Sequence, residues 1–146
     1  MKSGRRGSVE MKTYWDSSAL LNALVSKKVF DRLSSGENMT RSHAYLEIFS
    51  HLSGRGLPMK DGTRQKTSAE DSAKMIRGLA AKLTPRDLSC EEVLNAIDMA
   101  KERGVQGARI HDLIHARAAA LSGCEVILTR DADFGSLGEK IRAEWP

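Results

Sequence analysis

The sequence is poor in cysteine, in aromatic residues and in long apolar runs, and each shortage removes a class of function. Cys90 and Cys124 are the only two cysteines among 146 residues. Two are too few for a disulfide framework and lack the paired spacing of a zinc site, so both are expected to be reduced, buried and structural. Two Trp, two Tyr and three Phe disfavour the succession of stacking rings on which single-stranded nucleic acid is bound without sequence preference. No stretch approaches the roughly 20 apolar residues that span a bilayer, and the first residues lack the charged-then-apolar order of a secretory leader. A cytoplasmic protein with no membrane partner is therefore expected. A glycine-rich loop ending in Lys-Ser or Lys-Thr is missing, which disfavours P-loop nucleotide hydrolysis, and Ser17 and Ser18 stand in no Gly-x-Ser-x-Gly turn.

The chain is long enough to bury one core, and one domain is expected. Its net charge of +4 permits a polyanionic partner, because summed positive potential attracts and steers phosphates. Residues 1–10, MKSGRRGSVE, are basic and non-periodic and are expected to form a flexible extension. Met11 is a candidate natural start, the alternative being an ordinary native tail.

From Met11 to Trp15 the pattern is strand-like, and SSALLNALV after Asp16 switches to helical spacing. Met39 and Thr40 suggest a second short strand. Tyr45, Ile48, Phe49 and Leu52 then fall at i, i+3, i+4 and i+7, a helix stripe that Gly54 ends. Residues 54–67 carry Gly, Pro and basic side chains without period and read as an exposed loop. Ser68 with Asp71 opens a helix to about Leu83, and Ser89 with Glu92 forms a capping box for another to about Arg103. Between them Pro85–Leu88 reads as a turn or short strand. His111–Leu121 is helical, Glu125–Thr129 strand-like, and Asp131–Leu137 a candidate short helix. Met75, Ile76 and Leu79 are assigned mainly to the core. Strands separated by helices give an α/β domain with a mostly parallel sheet.

Acids stand where such a sheet places ligands, beyond the carboxyl ends of its strands. Asp16 closes the first strand and Asp131 follows the last; Asp112 opens the Ala-rich helix, and Glu47 lies in the helix of the Tyr45 stripe. Singly each has a structural explanation. Asp16 and Asp131 suit N-caps, Asp112 favours the positive end of a helix dipole, and Glu47, placed opposite the apolar stripe, reads as a solvated charge.

Together, WDSSALLNAL, HAYLEIFSHL, IHDLIHARAAA and TRDADF resemble the PIN-domain family in order and context, in its VapC toxin type, from about Met11 to the C-terminus. The most specific pieces are the strand ending in Asp-Ser-Ser-Ala-Leu and the helix Asp followed by a strand and Thr-Arg-Asp-Ala-Asp-Phe. The resemblance implies a three-layer α/β/α sandwich over residues 11–146 with a short, mostly parallel sheet. It implies Asp16, Glu47, Asp112 and Asp131 as the catalytic acids, Asp16, Asp112 and Asp131 as metal ligands, directly or through water, with Asp133 as a second candidate in the final motif, and Glu47 as a ligand or an aid to water activation. Thr40 matches a hydroxyl residue near the family's site, and Thr129 would orient the last acid. The implied activity is a metal-dependent endoribonuclease leaving a 3′ hydroxyl and a 5′ phosphate, the toxin of a type II toxin–antitoxin pair. RNA would be its substrate and a small antitoxin its inhibitor, and a homodimer is expected. The alternatives are a PIN-domain RNA-processing nuclease without a toxin role and a non-catalytic binding module of the same fold.

The physics suits such a site. Two carboxylates about 5 Å apart repel by roughly 3 kcal/mol at an effective dielectric near 20, so several gather only around a counter-charge. Oxygen donors favour Mg²⁺ or Mn²⁺ over zinc, and such an ion would acidify an attacking water and stabilise charge on a phosphodiester oxygen. His111 and His115, four apart on one helix, suggest a zinc pair but lack a third ligand. His43, Glu47 and His51 share a helix face and read as a polar surface near the cleft. Arg55, Lys60, Arg64 and Lys66 of the central loop, with Arg130, are candidate contacts to an RNA backbone, the alternative being solvated surface charge. Arg109 and Arg117 also lie beside the acidic motifs, where surface ion pairs worth little are the competing explanation.

Overall fold

In the computed structural model the described residues are 11–130, 137 and 140–146. Short strands β1 (Lys12–Trp15), β2 (Glu37–Thr40), β5 (Thr84–Pro85), β6 (Val126–Leu128) and β7 (Arg142–Glu144) form a sheet in the order β5-β2-β1-β6-β7. Every pairing in it is parallel. Strand alternation explains the two faces. Tyr14 is in register with Met39 and Ile127, and these three bury on one face, whereas Trp15, Val126 and Leu128 bury on the other.

Helices cover both faces, as a parallel sheet requires. On the Trp15 face lie α1 (Ser17–Val25), α2 (Lys27–Asp31), α3 (Ser42–Ser53) and α4 (Ala69–Ala80), packed through Leu20, Ala23, Val29, Ile48, Leu52 and Leu79. On the Tyr14 face lie α5 (Cys90–Arg103) and α6 (Arg109–Leu121), packed through Ala100, Leu113, Ala116 and Ala119. The alanine-rich α6 thus lies flush against the sheet. This is the expected α/β/α sandwich, and no helix among the described residues is long and apolar enough to cross a membrane.

Local chemistry accounts for several boundaries. Asp16 caps α1 by accepting from Ala19 N at 3.0 Å, Ser68 caps α4, and Ser89 with Glu92 closes the capping box of α5 in both directions. Gly104, at φ 72°, ends α5 in the left-handed conformation that glycine adopts without a steric penalty. The helix α3 has no side-chain cap of its own at Arg41. Asp87, beyond β5, supplies one by accepting from Ser42 N and Ser42 Oγ, both at 2.7 Å.

Four expectations are corrected. Residues 54–67 contain an antiparallel hairpin of β3 (Leu57–Pro58) and β4 (Arg64–Gln65), whose two-residue strands are too short to show a period. Its turn is braced by Asp61, which accepts from Thr63 N and Oγ1. In α3 the buried stripe is Ala44, Ile48 and Leu52, while Phe49 is 37% exposed. The small Ala44 is the position that the pattern of large residues overlooks, and the shift places Glu47 at the flank of the buried stripe, where it meets His115, instead of opposite it. Cys90 begins α5 and is exposed, whereas Cys124 is buried as expected and burial pushes its thiol up to about 11. Met75 and Ile76 are partly buried against the core with Leu79 beneath them, as expected. The short α2 and β7 fall outside the sequence-based assignment. The candidate helix over residues 131–137 lies outside the described residues except for Leu137, which is buried.

Candidate active site

From β1 the chain proceeds outward to β2 and β5, and later returns to β6 on the opposite flank and continues to β7. The order therefore reverses between β1 and β6, and the carboxyl ends of those two strands flank the crevice that the reversal opens. Asp16 follows β1 directly, and Thr129 to Asp131 follow β6.

Asp16 is held from every side. Its N–H donates to Leu128 O at 3.1 Å, extending the β1–β6 ladder by one residue. The carbonyl just before it, Trp15 O, accepts from the buried Thr40 Oγ1 at 2.8 Å. Thr40 thus fixes the end of β1. Ser18 Oγ donates to Asp16 Oδ1 at 2.6 Å and accepts from Arg130 N at 3.1 Å, sewing the end of β1 to the chain leaving β6. The helix cap also uses Oδ1, so Oδ2 carries no hydrogen bond among the described residues. One carboxylate oxygen is structural and the other is available to a ligand. Ser18, considered in sequence only as a poor nucleophile, is a residue that sequence reasoning missed; its signal was the Asp-x-Ser spacing at a helix start.

Glu47 enters from α3. Its side chain is 40% exposed, yet Oε1 is buried without a hydrogen-bond partner among the described residues and lies 3.8 Å from His115 Nε2. At that separation the pair is a polar contact, longer than a formed hydrogen bond. The His115 ring is the largest influence holding Glu47 below the usual carboxylate range; partial burial opposes it, and His43 and Arg41 assist. His115 is itself buried, and its Nδ1 lies 2.7 Å from Tyr14 Oη. Burial, outweighing Arg41, drives the Tyr14 hydroxyl far above its ordinary value, with the charges of Asp16 and Glu47 among the further causes. Tyr14 therefore senses both acids from beneath.

Asp112 lies in the first turn of α6, partly buried, three residues before His115 on the same side of the helix. It has an interaction partner, as do Thr129, Arg109 and Arg117. Thr129 is buried and its N–H donates to Glu144 O at 2.8 Å, which anchors the end of β6 to β7. Asp131 and Asp133 lie outside the described residues. Among the described residues no group of three or more His, Cys, Asp or Glu side chains is placed to hold a metal ion. His111 is exposed and His115 turns inward to Tyr14, so the two do not form a pair toward a common ligand.

A cleft of about 640 Å³ runs from Glu47 past His43, His51 and Ser17 to Arg55. Its far end is basic. Burial first, then Arg64, Arg55 and Arg130, push His51 below the ordinary imidazole value, so three of the expected cationic residues converge on one histidine. Arg64 also braces the hairpin through Gly56 O at 2.9 Å and His51 Nε2 at 3.2 Å. Arg130 lies 5.1 Å over the Trp145 ring. Lys60 and Lys66 are exposed in the hairpin region.

These features define an α/β/α domain with Asp16 at the switch point of a parallel sheet and, starting at the next residue, Ser17, a cleft that Glu47 lines. The PIN domain family matches residues 13–140, and the chain belongs to that family. Among curated protein sequences none matches the chain. Among solved structures it is similar to VapBC2 from Rickettsia felis, crystallised bound to a DNA fragment from their promoter. That likeness has a TM-score of 0.66 at 12% identity and covers 92% of this chain and 98% of that one.

Proposed function

We propose that this protein is a divalent-metal-dependent endoribonuclease, the VapC-type toxin of a type II toxin–antitoxin pair. The observation that carries the reading is Asp16, fixed at the switch point through Oδ1 with Oδ2 unbonded among the described residues, in a chain of the PIN-domain family. The donor set has the right chemistry for a hard cation, since the acids offer carboxylate oxygen alone. Asp16, Asp112 and Asp131, with Asp133 as the second candidate of the last motif, would hold Mg²⁺, and Mn²⁺ would substitute. When bound, the ion would acidify a water and neutralise charge developing on the phosphodiester.

The chain's own residues do the rest. Glu47, ionised at neutral pH, would orient the water and take its proton. Arg55, Arg64 and Arg130 at the basic end of the cleft, with Lys60 nearby, would hold the RNA backbone. Thr40 and Thr129 keep the two strand ends in place. Cleavage would leave a 3′ hydroxyl and a 5′ phosphate. The Rickettsia felis neighbour is VapBC2 bound to promoter DNA, which supports a cognate antitoxin for this chain as well; a homodimer in the cytoplasm completes the reading.

The test is cleavage of a mixed structured-RNA pool by the purified protein with Mg²⁺ or Mn²⁺, beside EDTA and Asp16→Asn. Cleavage lost in both controls is the expected result. No cleavage, together with no Mn²⁺ binding by calorimetry, would replace this reading with a non-catalytic binding module.

A further inference from the structure

Tyr14, His115 and Glu47 form a continuous polar path from the central strand through α6 to α3. Three observations define it. Tyr14 Oη and His115 Nδ1 are 2.7 Å apart in the buried layer between sheet and helix. The two rings meet edge to face, with centroids 5.6 Å apart and planes at 69°. On the far side of the imidazole, Nε2 faces Glu47 Oε1, which is shielded from solvent and lacks a hydrogen-bond partner among the described residues.

The roles follow from the chemistry of each group. A carboxylate only accepts, so Glu47 Oε1 facing Nε2 favours the ring proton there, and the Tyr14 O–H, which can donate or accept, then donates to Nδ1. A neutral imidazole that accepts at Nδ1 carries its proton at Nε2. That proton points at Glu47 Oε1. With Oε1 facing the ring, the exposed part of the side chain holds the other oxygen, Oε2, on the cleft side. We propose that His115 is a positioning residue for Glu47: Tyr14 supports the tautomer that donates from Nε2, and that donor fixes which carboxylate oxygen faces the cleft. The gap of 3.8 Å closes to a hydrogen bond when the site is loaded, as such contacts commonly tighten on substrate binding. This role rests on the nuclease reading above; the arrangement of the three side chains does not.

The experiment has two arms. In the first, ¹⁵N NMR of the imidazoles at about pH 8, where histidine is mostly neutral, reports the His115 tautomer without reference to activity. The wild-type ring should carry its proton at Nε2, Tyr14→Phe should shift the population toward Nδ1–H, and His115→Phe should move the ¹³Cδ resonance of Glu47. An unchanged tautomer in Tyr14→Phe, or an unmoved Glu47 signal, overturns the arrangement. In the second arm, single-turnover RNA cleavage by His115→Phe should fall about 10- to 100-fold, the usual effect of losing a group that orients a functional ligand. His115→Gln, which restores an N–H donor, should recover part of the loss. The loss should vanish in a Glu47→Gln background, because a positioning residue has nothing to position there. An equal loss in both backgrounds overturns the role and makes His115 merely structural. If the wild-type protein cleaves no RNA, the nuclease reading and the positioning role fall together, and the NMR arm still decides the arrangement.

Discussion

The two acids that the described residues place beside the cleft are held in opposite ways. Asp16 is fixed by several bonds at once: the strand register to Leu128, a helix cap and a serine two residues away, with Thr40 locking the carbonyl before it. Glu47 comes in on a helix from another part of the chain and meets a single long-range partner, His115, at 3.8 Å. Metal ligands need geometry good to a fraction of an ångström, whereas a group that handles a water proton can tighten as the substrate arrives. The contrast suits Asp16 to holding the cation and Glu47 to the water.

Substituting each acid by its amide sharpens the contrast most. Asp16→Asn should lower cleavage on the order of 10³-fold, since several kcal/mol of charge stabilisation are lost at tenfold per 1.36 kcal/mol. Asparagine caps helices as well as aspartate does, so its melting temperature should stay close to wild type. Mn²⁺ affinity should drop with activity. Glu47→Gln should cost activity while retaining more of the Mn²⁺ affinity, measured by calorimetry. Equal losses of metal binding in the two variants would break the division of roles.

A smaller effect tests the stitching at Asp16. Ser18→Ala removes the hydroxyl that bridges Asp16 Oδ1 and Arg130 N. Loss of that bridge should cost about 1 kcal/mol of stability, the net worth of a typical hydrogen bond, read by urea unfolding. It should also lower cleavage about 10-fold through a less ordered strand end. Retained activity at reduced stability would show that the cap alone suffices to aim Asp16.

What was legible in the sequence divides between short and long range. The span of α1, the Ser89–Glu92 capping box and the stop at Arg103 depend on neighbours within four residues, and the structure matches them. The α/β class with a mostly parallel sheet followed from alternation and order, and the three layers from the family resemblance. The switch point did not, because β6 returns beside β1 through contacts between residues more than 100 positions apart. The place of His115 was missed for the same reason: its partner, Tyr14, is 101 residues away, and only the disfavoured pairing with nearby His111 was visible. The misplaced face of Glu47 has a different cause. Weighting large side chains put Phe49 in the stripe, whereas the helix packs through Ala44, whose size lets α3 approach the core closely.

The smallest expected effect concerns how α3, and Glu47 with it, is anchored. Asp87 is the cap that α3 lacks, and it is supplied from beyond β5. The Ser42 N–H is the largest cause holding Asp87 below the usual carboxylate range, followed by the Ser42 hydroxyl. Asp87→Ala should therefore destabilise by about 1 kcal/mol, near 3 °C in melting temperature for a domain of this size. The sign of the pH dependence is set by the lowered value. Because the folded carboxyl binds its proton less readily than the unfolded one, the stabilisation is fully present above the unfolded value of about 4 and fades as pH falls through the folded value. The melting curves of wild type and variant, separated at neutral pH, should converge below about pH 4. Glu92, held at about 2 first by Arg86 and then by Ser89 N, stays ionised through that window and does not obscure the convergence. A constant separation down to the lowest pH would mean that Asp87 acts through packing, and that the serine hydroxyl and helix backbone, not the charge, seat α3 against the sheet.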